Sequence, residues 1–216
     1  MRMPVMITSD VAFTPSVKAV QERLGSRKAY ARMEAGGGWA VDLDDDVRAF
    51  IAAQTGAFLA TASADGQPYV QHRGGPPGFL RVLDARTIAF ADFRGNRQYI
   101  TVGNLVENPR VQLFLIDHAR RQRVKIWGTA RVSEDPALIA RLTDASYDAR
   151  VERAIVIDVV AWDVNCPQHI PQRLDAADVE AALAARDARI AELEAVLHAR
   201  DAQLLALTGT IARPAT

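Results

Sequence analysis

Two hairpin signals in immediate succession restrict this chain more than anything else in it. The run Ala57-Phe58-Leu59-Ala60-Thr61-Ala62 is followed by Asp65-Gly66, a turn dipeptide, and by the return run Pro68-Tyr69-Val70-Gln71-His72-Arg73. Phe79 to Leu83 and Thr87 to Ala91 then flank Asp84-Ala85-Arg86 as a second hairpin. Strands joined this tightly are antiparallel, because a parallel pair needs a crossover of a dozen residues or more. Further strands are expected at Val111 to Ile116, from Val124 to Ala130, and at Ala154 to Trp162, whose β-branched density suits a central strand.

Helical spacing surrounds and interrupts these strands. Residues 14–34 read as an N-terminal helical arm that stops at Gly36-Gly37-Gly38, and Asp44-Asp45-Asp46 begins a helix reaching about Gln54. A third helix is expected from Asn96, in the N-cap place, to the stop at Asn108-Pro109, and Pro136 opens a fourth to about Leu142. The expected class is mainly β with α: a six-stranded antiparallel barrel with N-terminal helices and a long C-terminal helix. The domain reading is an arm over 1–45, a barrel over 46–165, and a linker with a heptad helix over 166–216.

That last helix repeats itself. Apolar residues return every seven positions at Leu183, Ile190, Leu197 and Leu204, and residues 179–192 match residues 193–206 at 7 of 14 positions. The alternate seam positions are Arg186 and Arg200, so the helix is a weak coiled coil that pairs with its mate or packs on the barrel. One reading makes this helix the functional, partner-binding part and the barrel its platform.

Charge is balanced overall at 26 basic and 26 acidic residues, which excludes a single-signed polyelectrolyte, but it is unevenly placed. Residues 71–131 hold 11 basic and 4 acidic side chains, a surplus that the acidic 132–216 segment mostly cancels. Nearly all of the basic residues are arginine, whose planar fork binds phosphate bidentately. Aromatic residues make up only 6% and no helix-turn-helix pattern appears, so nucleic acid is not expected as a partner. With no apolar run of membrane-spanning length and no leader pattern, the expected location is cytoplasmic, with no membrane partner.

Candidate chemistry is concentrated in the Arg-rich middle. Hydrolase and nucleotide-loop motifs are missing, and Cys166-Pro167-Gln168-His169 offers two ligands where a structural zinc needs four, so no metal is expected. Cys166 beside His169 is either a reactive thiol or an inert buried one. The polar residues Gln71, His72, Arg73, Asp92, Arg94, Asn96, Arg97, Gln98, Arg123 and Lys125 fall at strand ends and loops. A helix start at Asn96 with Arg97 beside it would make a phosphate site of free N–H groups and a guanidinium. Arg123 and Lys125 alternate with Val124 and Ile126 and so share one strand face.

In their order and intervals, Gly66-Gln67-Pro68-Tyr69, the strand ending at Arg73, Ala91-Asp92, Gly95-Asn96-Arg97-Gln98 and Asn108-Pro109-Arg110-Val111 resemble the pyridoxamine 5′-phosphate oxidase-like flavin-binding split barrels over roughly residues 50–163. The flanks, including Asn165-Cys166-Pro167-Gln168-His169, look like a bacterial flavin-binding subgroup. The resemblance implies a homodimer of split barrels with FMN in the dimer groove. It puts Gln71, His72 and Arg73 on the flavin-lining strand, Ala91-Asp92 on the next, and Arg97 at the phosphate. Asn96 and Gln98 flank that arginine, Gln98 standing where oxidases of this type have Lys. Arg123 takes the place of a Gln facing the flavin ring, with Lys125 as a second contributor on the same face. No catalytic residue is assigned.

The oxidases' C-terminal Trp…Arg-x-His segment has no counterpart, so vitamin B6 phosphate is not the expected substrate. The expected activity is FMN-dependent transfer of a hydride or electrons between NADH or NADPH and a small acceptor. The alternative is a protein that binds or stores a flavin or another planar cofactor without turnover.

Overall fold

The computed structural model describes residues 7–164 and 167–211. It comprises two compact units, residues 1–170 and 171–216.

In the first unit a short 3-10 helix, Thr8–Val11, precedes α1 (Pro15–Arg23) and α2 (Arg27–Ala35). The arm is thus two helices rather than one, because Gly25 takes a positive φ of 80° between them. Helix α3 (Asp45–Ala53) starts as expected, with the Asp44 carboxylate accepting from Val47 N at 2.9 Å. Its buried Val47, Phe50 and Ile51 face the sheet core.

The sheet has seven antiparallel strands: β1 (Gly56–Ala62), β2 (Pro68–Gly74), β3 (Arg81–Val82), β4 (Thr87–Phe93), β5 (Arg110–Asp117), β6 (Gln122–Ser133) and β7 (Val151–Val164). The expected six-stranded barrel is corrected to seven strands; β3, expected over Phe79 to Leu83, keeps only two residues but still pairs with β4. Their order is β2-β1-β5-β6-β7-β4-β3, so the ladder has two ends and is not closed. It nevertheless curls. Leu59 on β1 and Phe90 on β4 bury into one cluster with Leu113, Ile126 and Ile157, although three strands separate them in the ladder. The register between β6 and β7 shifts at Trp127/Gly128.

One face of the β4–β7 region is covered by helix α5 (Pro136–Leu142), which packs Leu142 against Ala89, Ala91, Ala154 and Val156. Farther along the ladder the outer face is covered at Trp127 by Trp39 of the arm and is open toward β1 and β2. A row runs across it through His72, Phe58, Phe114, Lys125 and Asp163, and a second through Val70, Ala60, Gln112 and Trp127. Phe58 and Val70 are exposed there. Helix α4 (Ile100–Glu107) lies against the inner side, its Asn104 side chain donating to Thr61 Oγ1 at 2.9 Å.

The second unit is one helix, α6 (Ala176–Ile211). No helix among the described residues is long and apolar enough to cross a membrane.

Candidate functional site

Strand alternation sorts the polar residues of β2. Tyr69, Gln71 and Arg73 point to one side and line a pocket, whereas His72 points to the other and meets Phe58 edge-on at 5.6 Å. Thr101 of α4, 2% exposed, donates its hydroxyl to Gln71 Oε1 at 2.9 Å and so fixes that side chain. The remaining walls are Asp92 and Phe93 of β4, the loop from Gly95 to Tyr99, the first turn of α4, and Glu152.

A chain of charge runs through the pocket wall and behind it. Arg73 Nη1 donates to Asp92 Oδ1 at 2.7 Å, and Arg153 Nε lies 3.7 Å from Asp92 Oδ2. Arg153 Nη2 also donates to Glu152 at 2.7 Å, and Arg94 stands 3.8 Å from the same carboxylate. Three arginines, Arg73, Arg94 and Arg153, thus share two carboxylates, and with Arg97 in the adjoining loop the cluster in and around the pocket carries two more positive than negative groups. The Nε atoms of Arg73 and Arg153 are buried and without a hydrogen-bond partner. Such orphaned donors are costly unless something anionic completes the site.

The loop differs from its expected form. Asn96 is not the N-cap: its Oδ1 accepts from Gln98 N at 3.2 Å in a local turn, and the helix begins only at Ile100. The delay comes from Arg97 and Tyr99, both in the left-handed region at φ 62° and 56°, a conformation that cannot continue a right-handed helix. Tyr99 occupies the cap position and no side chain caps α4, so its first-turn N–H groups face the pocket without the usual side-chain acceptor. Arg97 Nε donates to the Tyr99 hydroxyl at 2.9 Å, which pushes the guanidinium further above its ordinary range. Two strained non-glycine residues beside an electropositive pocket mark the loop as a place where geometry is held for a ligand.

Of the residues singled out in the sequence, the structure brings together Gln71, Arg73, Asp92, Asn96, Arg97 and Gln98 around this pocket. Ala91 faces the opposite side of β4, in the α5 cluster. His72, Arg123 and Lys125 belong to the outer face of the sheet. Lys125 there pairs with Asp163 at 3.4 Å and lies over the rings of Trp127 and Trp39 at 5.3 and 6.0 Å. Cys166 lies outside the described residues, and no group of three or more His, Cys, Asp or Glu that could hold a metal occurs among the described ones.

Sequence reasoning missed Arg153, Glu152 and Tyr99. Arg153 was detectable only as a charge at the head of the apolar run Ala154 to Val160. Its place opposite Asp92 follows from the β4–β7 register.

The pocket is small, about 50 Å³ of free volume. A larger groove of about 800 Å³ lies on the outer face between Thr8, Val11 and Thr14 and the strand residues Ala60, Gln112 and Trp127. Its charged lining residues are Asp10 and Arg110, and it has none of the arginine clustering found around the smaller pocket.

No curated protein matches this chain. Solved structures similar to it include a tagged HupZ from Group A Streptococcus, at 20% identity and TM-score 0.46, covering 61% of this chain and 99% of that one. An FMN-binding protein from Syntrophomonas wolfei subsp. wolfei follows at 13% identity and TM-score 0.44, with 70% and 95% covered. An F420 reductase is similar at 21% identity and TM-score 0.40, with 53% and 93% covered. The family model described as pyridoxamine 5′-phosphate oxidase matches residues 43–166, from the residue before the α3 cap to the end of β7 and slightly past it. That span is more than half of the chain and includes every residue of the electropositive pocket, and on it the chain belongs to the pyridoxamine 5′-phosphate oxidase family.

Proposed function

We propose that this protein is an FMN-dependent oxidoreductase that passes a hydride or electrons between a reduced nicotinamide and a small acceptor, its flavin held where two copies of the chain meet. The observation that carries the reading is the pocket lined by Arg73 and Arg97 at the uncapped start of α4, with the under-bonded guanidinium of Arg153 behind Asp92. These donors suit a phosphate monoester: Arg97, Arg73 and the first-turn N–H groups of α4 would hold it, with Gln71, Asn96 and Gln98 around it. Bound flavin supplies a reversible acceptor for a hydride or for electrons.

A pocket of about 50 Å³ accommodates the anionic end of such a cofactor and not its ring system, since ligand-enclosing sites run to roughly 300–1,000 Å³. The ring needs another wall. The open part of the outer face, with Phe58 and Val70 exposed beside Phe114, supports a second copy as the source of that wall. His72, Arg123 and Lys125 lie on this face and would meet the cofactor from there. In a split-barrel homodimer the curl of each open sheet would be closed by such a neighbour.

The purified protein should carry flavin absorbance or take up added FMN. A colourless preparation that also fails to bind FMN overturns the proposal. Binding of a deazaflavin in its place would change the cofactor and keep the site.

One observation favours a second reading, flavin binding or storage without turnover. Both carboxylates that line the pocket, Asp92 and Glu152, are held in ion pairs with arginines, and no histidine among the described residues lines it. Anaerobic mixing with NADH and NADPH separates the two readings: bleaching of the flavin supports the oxidoreductase, and flavin that stays oxidised with both donors supports storage.

A further inference from the structure

Every described residue of α6 from Ala176 to Leu207 is exposed, including the heptad residues Leu183, Ile190, Leu197 and Leu204. A helix this long with one aliphatic row in water is stable only when that row is covered. If the row is called a, the other seam position, d, is Val179, Arg186, Leu193, Arg200 and Leu207. The position just after it, e, is acidic throughout: Glu180, Asp187, Glu194 and Asp201. The opposite flank, g, has Ala182, Arg189, Val196 and Gln203 and no acid.

This asymmetry selects both the occupant and its direction. We infer that α6 binds α6 of a second copy as a parallel, in-register, two-stranded coiled coil, in which Arg186 and Arg200 reach Asp187 and Asp201 of that copy. In an antiparallel pair, e faces e and two acidic columns would meet; in a parallel pair, e faces g, and Glu194 meets Arg189 of the second copy. A d side chain also packs into a hole bordered by the facing e residue, so each seam arginine finds an acid at the edge of its own layer. The repeated Ala-Arg-Asp-Ala at 185–188 and 199–202 carries both halves of this pair. Among the described residues, Arg186 and Arg200 make no ion pair within the chain, whereas Arg189 pairs with Glu192 at 2.5 Å. Two strands are favoured over three or four because the arginine stems must run from the seam to its edge with the guanidinium still hydrated.

The test uses the full chain with Cys166→Ser, which leaves no other thiol. Leu183→Cys should form a disulfide-linked dimer under mild oxidation, while Ala188→Cys, on the far side of the helix, should not. Equal linking of the two, or none by Leu183→Cys, overturns the proposal. When Leu183→Cys and Leu207→Cys chains are mixed, self-links should dominate; an excess of links between the two different sites, an a position facing a d position, shows an antiparallel pair and overturns the orientation. Adding R186D and R200D should reduce Leu183→Cys linking several-fold, and adding D187R and D201R as well should restore it; unchanged linking in the first case removes the proposed seam pairs. Circular dichroism checks that each variant keeps its helix. The readout does not involve flavin, so it stands or falls apart from the cofactor reading.

Discussion

Arg73 and Asp92 form a buried ion pair, Nη1 to Oδ1 at 2.7 Å, with side chains 13% and 10% exposed. Their strands β2 and β4 are not neighbours in the sheet, so the pair spans the curl. The aspartate holds Arg73 in the pocket and, with Glu152, offsets the charge of Arg153.

Removing that aspartate should destabilise the protein. Asp92→Ala leaves two buried guanidinium groups without their shared partner, a change that typically costs about 3–5 kcal/mol. Thermal denaturation should show a clear drop in Tm. Arg97, by contrast, is exposed, and Arg97→Ala should leave stability within about 0.5 kcal/mol. It should weaken FMN binding by about ten- to a hundredfold, the loss of a hydrogen bond to a charged group. Fluorescence titration of FMN against both variants checks the contrast, and loss of stability without loss of affinity in Arg97→Ala would contradict the phosphate role.

Acid should loosen the N-terminal arm. The Arg27 guanidinium, and then Lys18 at 3.1 Å, hold the Glu34 carboxyl below the usual carboxylate range despite its burial at 5% exposure. Because the folded value is the lower one, the unfolded arm binds more protons in the window between the two. The stabilisation is therefore complete above the unfolded value of about 4.3 and is lost as pH falls through the lowered folded value. Glu34→Gln should be less stable than the parent at neutral pH, and its stability should fall less between pH about 5 and 2.

The arm is held by rings. Trp39 stacks on Trp127 at 4.6 Å and 8°, and Phe13 meets both Trp39 and Tyr30 at 4.9 and 5.1 Å. Trp127→Ala should release this contact and with it the roughly 0.5–1.5 kcal/mol that a ring pair adds beyond its buried area. Limited proteolysis should then cut the first 40 or so residues faster than in the parent, with the barrel fragment intact.

Gly128 cannot accept a side chain. A Cβ there would lie 2.5 Å from the Asp158 carbonyl oxygen and 2.9 Å from Ile157, because β6 and β7 come together where their register shifts. Gly128→Ala should cost about 1–3 kcal/mol by overpacking, measurable in urea unfolding.

Features set by near neighbours in the chain were readable without coordinates. Asp65-Gly66 closes the first hairpin with Gly66 at φ 91°, Asp44 caps α3, and Pro136 opens α5, which ends at Leu142 as its sequence suggests. Gln71, Arg73, Asp92 and Arg97 were identifiable as polar residues at strand ends and loops in the Arg-rich middle, in the order that resembles the flavin-binding split barrels. The start of α4 was not, since a helical pattern from Asn96 says nothing of left-handed Arg97 and Tyr99.

What belongs to the sequence alone is thus the list of antiparallel strands and helices, the Arg-rich middle, and the double-heptad repeat of α6. The tertiary structure decided which faces those strands present. It turned His72 away from Gln71 and Arg73, set Arg153 opposite Asp92 through the β4–β7 register, and took Lys125 into the aromatic cluster around Trp39. The physical reason is range. Capping, turn chemistry and side-chain alternation act over a few residues and are written locally, whereas the partners of a buried charge depend on which distant strands the curl of the sheet brings together.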